Sequence, residues 1–140
     1  GPRLSLWTGE LVELDETVMR SPSIRAFARM MQTAFKERRV APEDQATLNA
    51  VRAQLPQVSP LATLLHQAEA EIAGFLGDPE ASLASIEGAV RAGLRDLTWM
   101  RRCPVLGPAR ALPRFAELEA EVEARVRPVV NAYRAGRAAG

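Results

Sequence analysis

Apolar positions recur at spacings of three and four along most of the chain, and the clearest run is Pro60–Gly93. There Leu61, Leu64, Leu65, Ala68, Ile72, Phe75 and Leu76 fall on one face of an amphipathic helix. Gly77-Asp78-Pro79 then interrupts the stripe with residue types suited to a helix C′ position, an N-cap and a first helical turn. A second stripe follows in Leu83, Ile86, Ala89 and Val90, and Gly93 closes it. Two such helices cannot cover both of their apolar faces alone, so the pair predicts neighbours of the same kind.

The same periodicity predicts the remaining elements. Trp7, Leu11, Leu14 and Val18 predict a helix that stops near Ser21-Pro22. Ile24, Phe27, Ala28, Met31 and Phe35 predict a second, capped by Ser21 or Ser23 and ended by the basic run Lys36-Glu37-Arg38-Arg39. Pro42-Glu43-Asp44 starts a third, with Leu48, Val51 and Leu55 as its core positions. After Gly93, Asp96 caps a short helix that ends before Pro104, and Val105–Leu112 is read as a turn or a single helical turn. Phe115, Leu118, Val122, Val126, Val129 and Tyr133 mark a long last helix, in which Pro128 should produce a kink or the end of the regular part. The tail from Arg134 onward is expected to fray.

Helix, turn, helix with short connections is the pattern of an α-solenoid. Pro60–Gly93 spans 34 residues, the period of a tetratricopeptide repeat. Relative to Gly77, the small residues Ala70, Ser82 and Ala89 and the larger Ile86 stand where that repeat needs close helix approach and one gap filler. The expected fold is therefore an all-α, right-handed, tetratricopeptide-like solenoid of antiparallel helix pairs with a long C-terminal capping helix. Its units would be 4–22 (partial), 23–57 (a divergent pair), 58–93 (a pair) and 94–135 (capping helices).

The segment after Gly93 adds a more particular likeness. Asp96, Leu97, Trp99, Arg102, Cys103, Pro104, Leu106, Pro108, Arg110, Pro113, Arg114, Phe115 and Leu118 follow the pattern D-L-x-W-hydrophobic-x-R-C-P-x-L-x-P-x-R-x-x-P-R-F-x-x-L, and a helix with Arg125 follows. This stretch resembles the closing part of tetratricopeptide-like regions in multidomain bacterial signalling proteins, typified by myxobacterial Ser/Thr protein kinases and by some adenylate-cyclase-type regulators. The resemblance implies a protein-binding or regulatory arm of a larger protein, with catalysis in a domain upstream of Gly1. The dipeptide Gly1-Pro2 fits either the scar of tag removal or a cut within a longer chain.

Composition narrows the function classes. The 140 residues carry 18 basic and 17 acidic side chains for a net charge of +1, which leaves no overall field to attract nucleic acid or anionic lipid. No apolar run reaches the length of a membrane span, and no signal-type segment opens the chain. The single cysteine, Cys103, excludes an internal disulfide and makes a zinc site improbable; a reducing cytoplasm fits. There is no Gly-rich phosphate loop, H-R-D or D-F-G, so no kinase activity is expected of these residues. No cofactor and no metal are expected.

Few individual polar residues offer chemistry of their own. His66, the only histidine, has no second ligand at useful spacing and reads as a boundary residue. Cys103 follows two arginines and could have a lowered pKa, but a small buried hydrophobe is the preferred reading. Asp44, Glu69, Glu71 and Glu80 read as solvated helix faces, and Trp99 and Phe115 as packing over the end of the array. In a tetratricopeptide-like array the first helix of each pair lines the groove. That places Arg25, Arg29 and Gln32 on one helix and Gln67, Glu71 and Gly74 on another, where the arginines suit an acidic peptide or a carboxylate. The expected function is a non-catalytic protein- or peptide-binding module, monomeric or weakly dimeric. The alternatives are a small-molecule sensor with a pocket beside the long helix, or self-association through Leu4, Leu6, Trp7 and Leu11.

Overall fold

A computed structural model describes residues 3–5, 11–13 and 22–139, without the side chains of residues 3–5, 11–13, 22–24, 129–131, 138 and 139. Its elements are strands β1 (Arg3–Ser5) and β2 (Leu11–Glu13) and seven α-helices. The helices are α1 (Pro22–Glu37), α2 (Pro42–Gln54), α3 (Pro60–Phe75), α4 (Pro79–Ala92), α5 (Leu97–Arg102), α6 (Gly107–Arg110) and α7 (Pro113–Ala139). A 3-10 turn, Pro104–Leu106, precedes α6. The fold is helical, as the periodicity predicts, except at the N-terminal end.

That exception corrects the partial unit expected over 4–22. Arg3, Leu4 and Ser5 pair antiparallel with Glu13, Val12 and Leu11. A match of four positions at three- and four-residue spacing does not distinguish a helix from two short strands when a Gly lies between them. Leu6, Trp7, Leu14 and Val18, and with them two of the four residues of the expected self-association patch, fall outside the described residues.

The helix boundaries follow the capping chemistry. Ser59 Oγ accepts from Ala62 N at 3.3 Å, Asp78 Oδ1 from Ala81 N at 3.0 Å and Asp96 Oδ1 from Trp99 N at 2.9 Å. Each satisfies a donor that a helix start would otherwise leave open. Gly77 and Gly93 take left-handed conformations at φ +79° and +113°, as chain reversal after α3 and α4 requires. Hydrogen bonds tie α4 to α3 at two places. Ser82 Oγ donates to Ala70 O at 2.9 Å near one end, while Ser59 N and Thr63 Oγ1 both donate to Ala92 O at 3.1 Å near the other. Ala70, Ser82, Ile86 and Ala89 have no exposed surface, so the small residues do permit the close approach expected of them.

Helix α3 sits between two apolar clusters. Leu65, Ala68 and Ile72 join Phe27, Met30 and Ala34 of α1 and Leu48 of α2, whereas Ala70 joins Leu83, Ile86, Val90, Trp99, Met100, Phe115, Leu118 and Val122. The face of α1 differs from the expected one. Ala26, Phe27, Met30 and Ala34 are buried, and Ala28 and Phe35 are exposed. Phe35 still has a role at the edge, where its ring meets Phe75 edge-on at 4.7 Å. Leu61 is likewise more exposed than its place in the stripe suggests.

The segment after Gly93 packs as a C-terminal cap against α3 and α4. Pro104, Pro108 and Pro113 each stand in the first positions of successive helical pieces, where a missing N–H costs no bond. Trp99, Leu106, Phe115 and Leu118 are buried against α4. Arg110 Nη1 donates to Met100 O and Cys103 O at 3.1 and 2.8 Å, satisfying carbonyls at the end of α5. Helix α7 continues past Pro128 to Ala139, since the proline withdraws a donor only from the carbonyl of the exposed Ala124. The stripe leaves the core after Val126, and Tyr133 lies exposed beneath the Arg137 guanidinium. The side chain of Val129 falls outside the described residues.

Candidate functional site

One stripe of α3 forms the floor of a cleft with α2 and α4 as its walls. Ala62, His66, Glu69, Ile72, Ala73 and Leu76 lie along it. Gln45 and Arg52 contribute from α2, and Ala81, Ser85, Gly88 and Arg91 from α4. The spacings of three and four in α3 and α4 make this a continuous lining. A close ion pair between Arg52 and Glu69 crosses it and divides it into two cavities of about 360 and 350 Å3.

The first cavity, at the Leu76 end, has an apolar floor of Met30, Val40, Ile72 and Leu76, with Glu69 and Asp78 among its polar residues. The second lies at the His66 end. Arg52 there is only 22% exposed at its side chain, Nη1 donates to Asn49 Oδ1 at 3.2 Å, and Nε is buried without a hydrogen-bond partner. Burial lowers the Arg52 pKa from its ordinary value. His66 is half-buried with its ring close against α4; a Cβ at Gly88 would stand 2.5 Å from its Nδ1. Burial, and secondly the positive charge of Arg52, depress its pKa, so the imidazole is held neutral at pH 7.

The expected groove residues divide between different surroundings. Arg25 and Gln32 are exposed on α1. Arg29 is engaged by Asp44, with Nε and Nη2 both 3.2 Å from Oδ1. Gln67 is buried and lines a separate, open depression of about 740 Å3 between the start of α3, the 93–98 segment and Val126. Glu71 accepts from the Cys103 thiol at 3.7 Å, and Gly74 is pressed against the Val105 carbonyl. The C-terminal cap therefore covers this face of α3, which the repeat pattern alone treats as open. The structure does not gather the six residues into one surface.

Three of the four carboxylates read as solvated faces are also placed differently. Asp44 is buried against Arg29, Glu69 is paired to Arg52, and Glu71 lies partly buried beside Cys103; Glu80 is exposed. The signal available for Asp44 and Glu69 was the arginine complement, but no sequence spacing fixes which arginine meets which acid across helices. Cys103 is fully buried, and burial together with Glu71 pushes its thiol up to about 12, the opposite of redox activation. Among the described residues no group of three or more His, Cys, Asp or Glu could hold a metal ion, and no helix is long and apolar enough to cross a membrane.

Comparison with protein-family models, with curated proteins and with solved structures found no match to this chain.

Proposed function

We propose that the chain is a non-catalytic protein-interaction and regulatory module of a cytoplasmic bacterial signalling protein of Ser/Thr kinase type. In this reading α1–α2 and α3–α4 are antiparallel pairs stacked as a solenoid, and α5–α7 close the array. The observation that carries it is the cleft along α3: an elongated lining drawn from three helices, apolar on its floor and polar at its walls, which suits a peptide segment. The kinase part rests on the closing motif, whose residues serve here to cap the array.

The test is selection from a displayed peptide library followed by fluorescence anisotropy on the peptides recovered. Gln45→Arg/Ser85→Arg puts bulk and charge in the cleft, and Arg25→Glu/Gln32→Glu alters the exposed face of α1. Arg29 is left intact because Asp44 depends on it. A loss of about tenfold or more in the cleft variant, with the α1 variant unchanged, supports cleft binding. The reverse result returns the partner to α1. Peptides that bind both variants as well as the parent, or no peptide at all, overturn the reading.

A further inference from the structure

We propose that the cavity between Arg52, His66 and Arg91 binds a small organic monocarboxylate, with the carboxylate among the nitrogen donors and a short apolar body against Leu55 and Ala62. This goes beyond the peptide reading and does not depend on it, since its lining residues are distinct from Gln45 and Ser85 in the other cavity.

Three helices bring nitrogen-bearing side chains to this one cavity of about 350 Å3, and no carboxylate lines it. The nearby acids are already engaged. Glu69 is held by Arg52, and Glu87 is shared between Arg91 at 2.9 Å and Arg114 at 3.0 Å. Arg114 is in turn paired with Glu117, so these arginines and acids balance, and a ligand with one negative charge disturbs that balance less than one with two. The buried Nε–H of Arg52 has no hydrogen-bond partner, a costly state that an acceptor in the cavity would relieve once the side chain turns toward it. Arg91 is largely exposed at the mouth and adds a planar guanidinium, the geometry that matches a carboxylate. Gly88 holds the His66 ring in place, leaving a neutral imidazole able to donate one hydrogen bond.

His66 is the only histidine, so its ring resonances report on this cavity alone. The probes are isovalerate, the uncharged isovaleramide, inorganic phosphate and a short peptide ending in valine. A saturable shift with isovalerate and none with isovaleramide, accompanied by a rise in the His66 pKa, is the expected result. Arg91→Gln should weaken binding about fivefold without changing the melting temperature, the loss of one solvent-exposed ion pair. Arg52→Lys keeps the charge, removes Nε–H, and should weaken it further. Equal shifts with the amide, no saturable shift, or unchanged affinity in both variants would overturn the site. Tighter binding of phosphate would overturn the carboxylate assignment. Much tighter binding of the peptide would move the source from a free acid to a chain terminus.

Discussion

Arg125, on α7, reaches across to the end of α4 and donates to Leu94 O at 2.7 Å; the same nitrogen also donates to Val90 O at 3.0 Å. Val90 O lies in the last turn of α4 and Leu94 O just beyond it, so the guanidinium bonds both while meeting the negative end of the helix dipole. Arg125→Met should destabilise the fold by about 1.5–3 kcal/mol, the range for charge-assisted bonds at half-buried positions. Urea unfolding measures it. Arg110→Met, which acts on α5 instead, should give a loss that adds to the first; strong non-additivity would show that the two caps are one cooperative unit.

Gly88 and His66 offer a test with a change of sign. Alanine is the better helix former by about 1 kcal/mol, yet a Cβ at residue 88 would collide with the imidazole. Gly88→Ala should therefore destabilise the wild-type background and stabilise a His66→Ala background by about 0.5–1 kcal/mol. The same sign in both backgrounds would contradict the contact.

The depressed His66 pKa ties stability to pH. Arg52 and Arg91 face the ring from α2 and α4, with Glu69 and Glu87 paired to them. Because the folded pKa lies below the ordinary 6.5, the unfolded chain binds the proton first. Stability should be flat with respect to this group above about pH 6.5 and fall as pH drops from there towards the folded value. Denaturation curves of the parent and of His66→Gln at several pH values between about 7.5 and 5 would isolate the effect, and equal slopes would count against it.

Cys103 should be inert while the chain is folded. Its thiol is pushed up to about 12 by burial and by Glu71, so very little thiolate exists at neutral pH. Alkylation by iodoacetamide should track global unfolding in urea. Rapid labelling without denaturant would indicate local opening of the cap.

Trp99 has no exposed surface, and its Nε1–H lacks a hydrogen-bond partner. Trp99→Ala should cost about 3–5 kcal/mol through the cavity it leaves. Trp99→Phe should cost less than about 1.5 kcal/mol, because the smaller ring also removes an unsatisfied donor. Circular dichroism melts distinguish the two.

Local chemistry was legible in the sequence wherever one residue acts on its own neighbours. Ser59, Asp78 and Asp96 as caps and Gly77 and Gly93 as helix ends all follow from nearest-neighbour rules. Relationships between distant segments were not. The apolar stripe of α1 is centred on Met30 and Ala34 rather than on Ala28 and Phe35, because small alanines carry little weight in a hydropathy pattern. The expected groove failed to assemble because α5 and the 3-10 turn fold over Glu71 and Gly74. Nothing in the spacing of α3 announces that contact. The cleft was missed for the same reason, since Arg52, His66 and Arg91 are brought together by packing alone.

The seating of Val105 on Gly74 makes the molecule directional. The glycine brings the backbone of the 3-10 turn directly onto α3, and Arg125 fastens α7 to the end of α4 on the same side. A further helix pair arriving there would have to evict Pro104–Leu106 and strip α4 of its arginine. If the helix pairs stack as proposed, growth by duplication, whether in evolution or by gene fusion, is open only away from this end. A tandem fusion made through the α7 end should yield two separate beads on a string, and not one longer continuous rod.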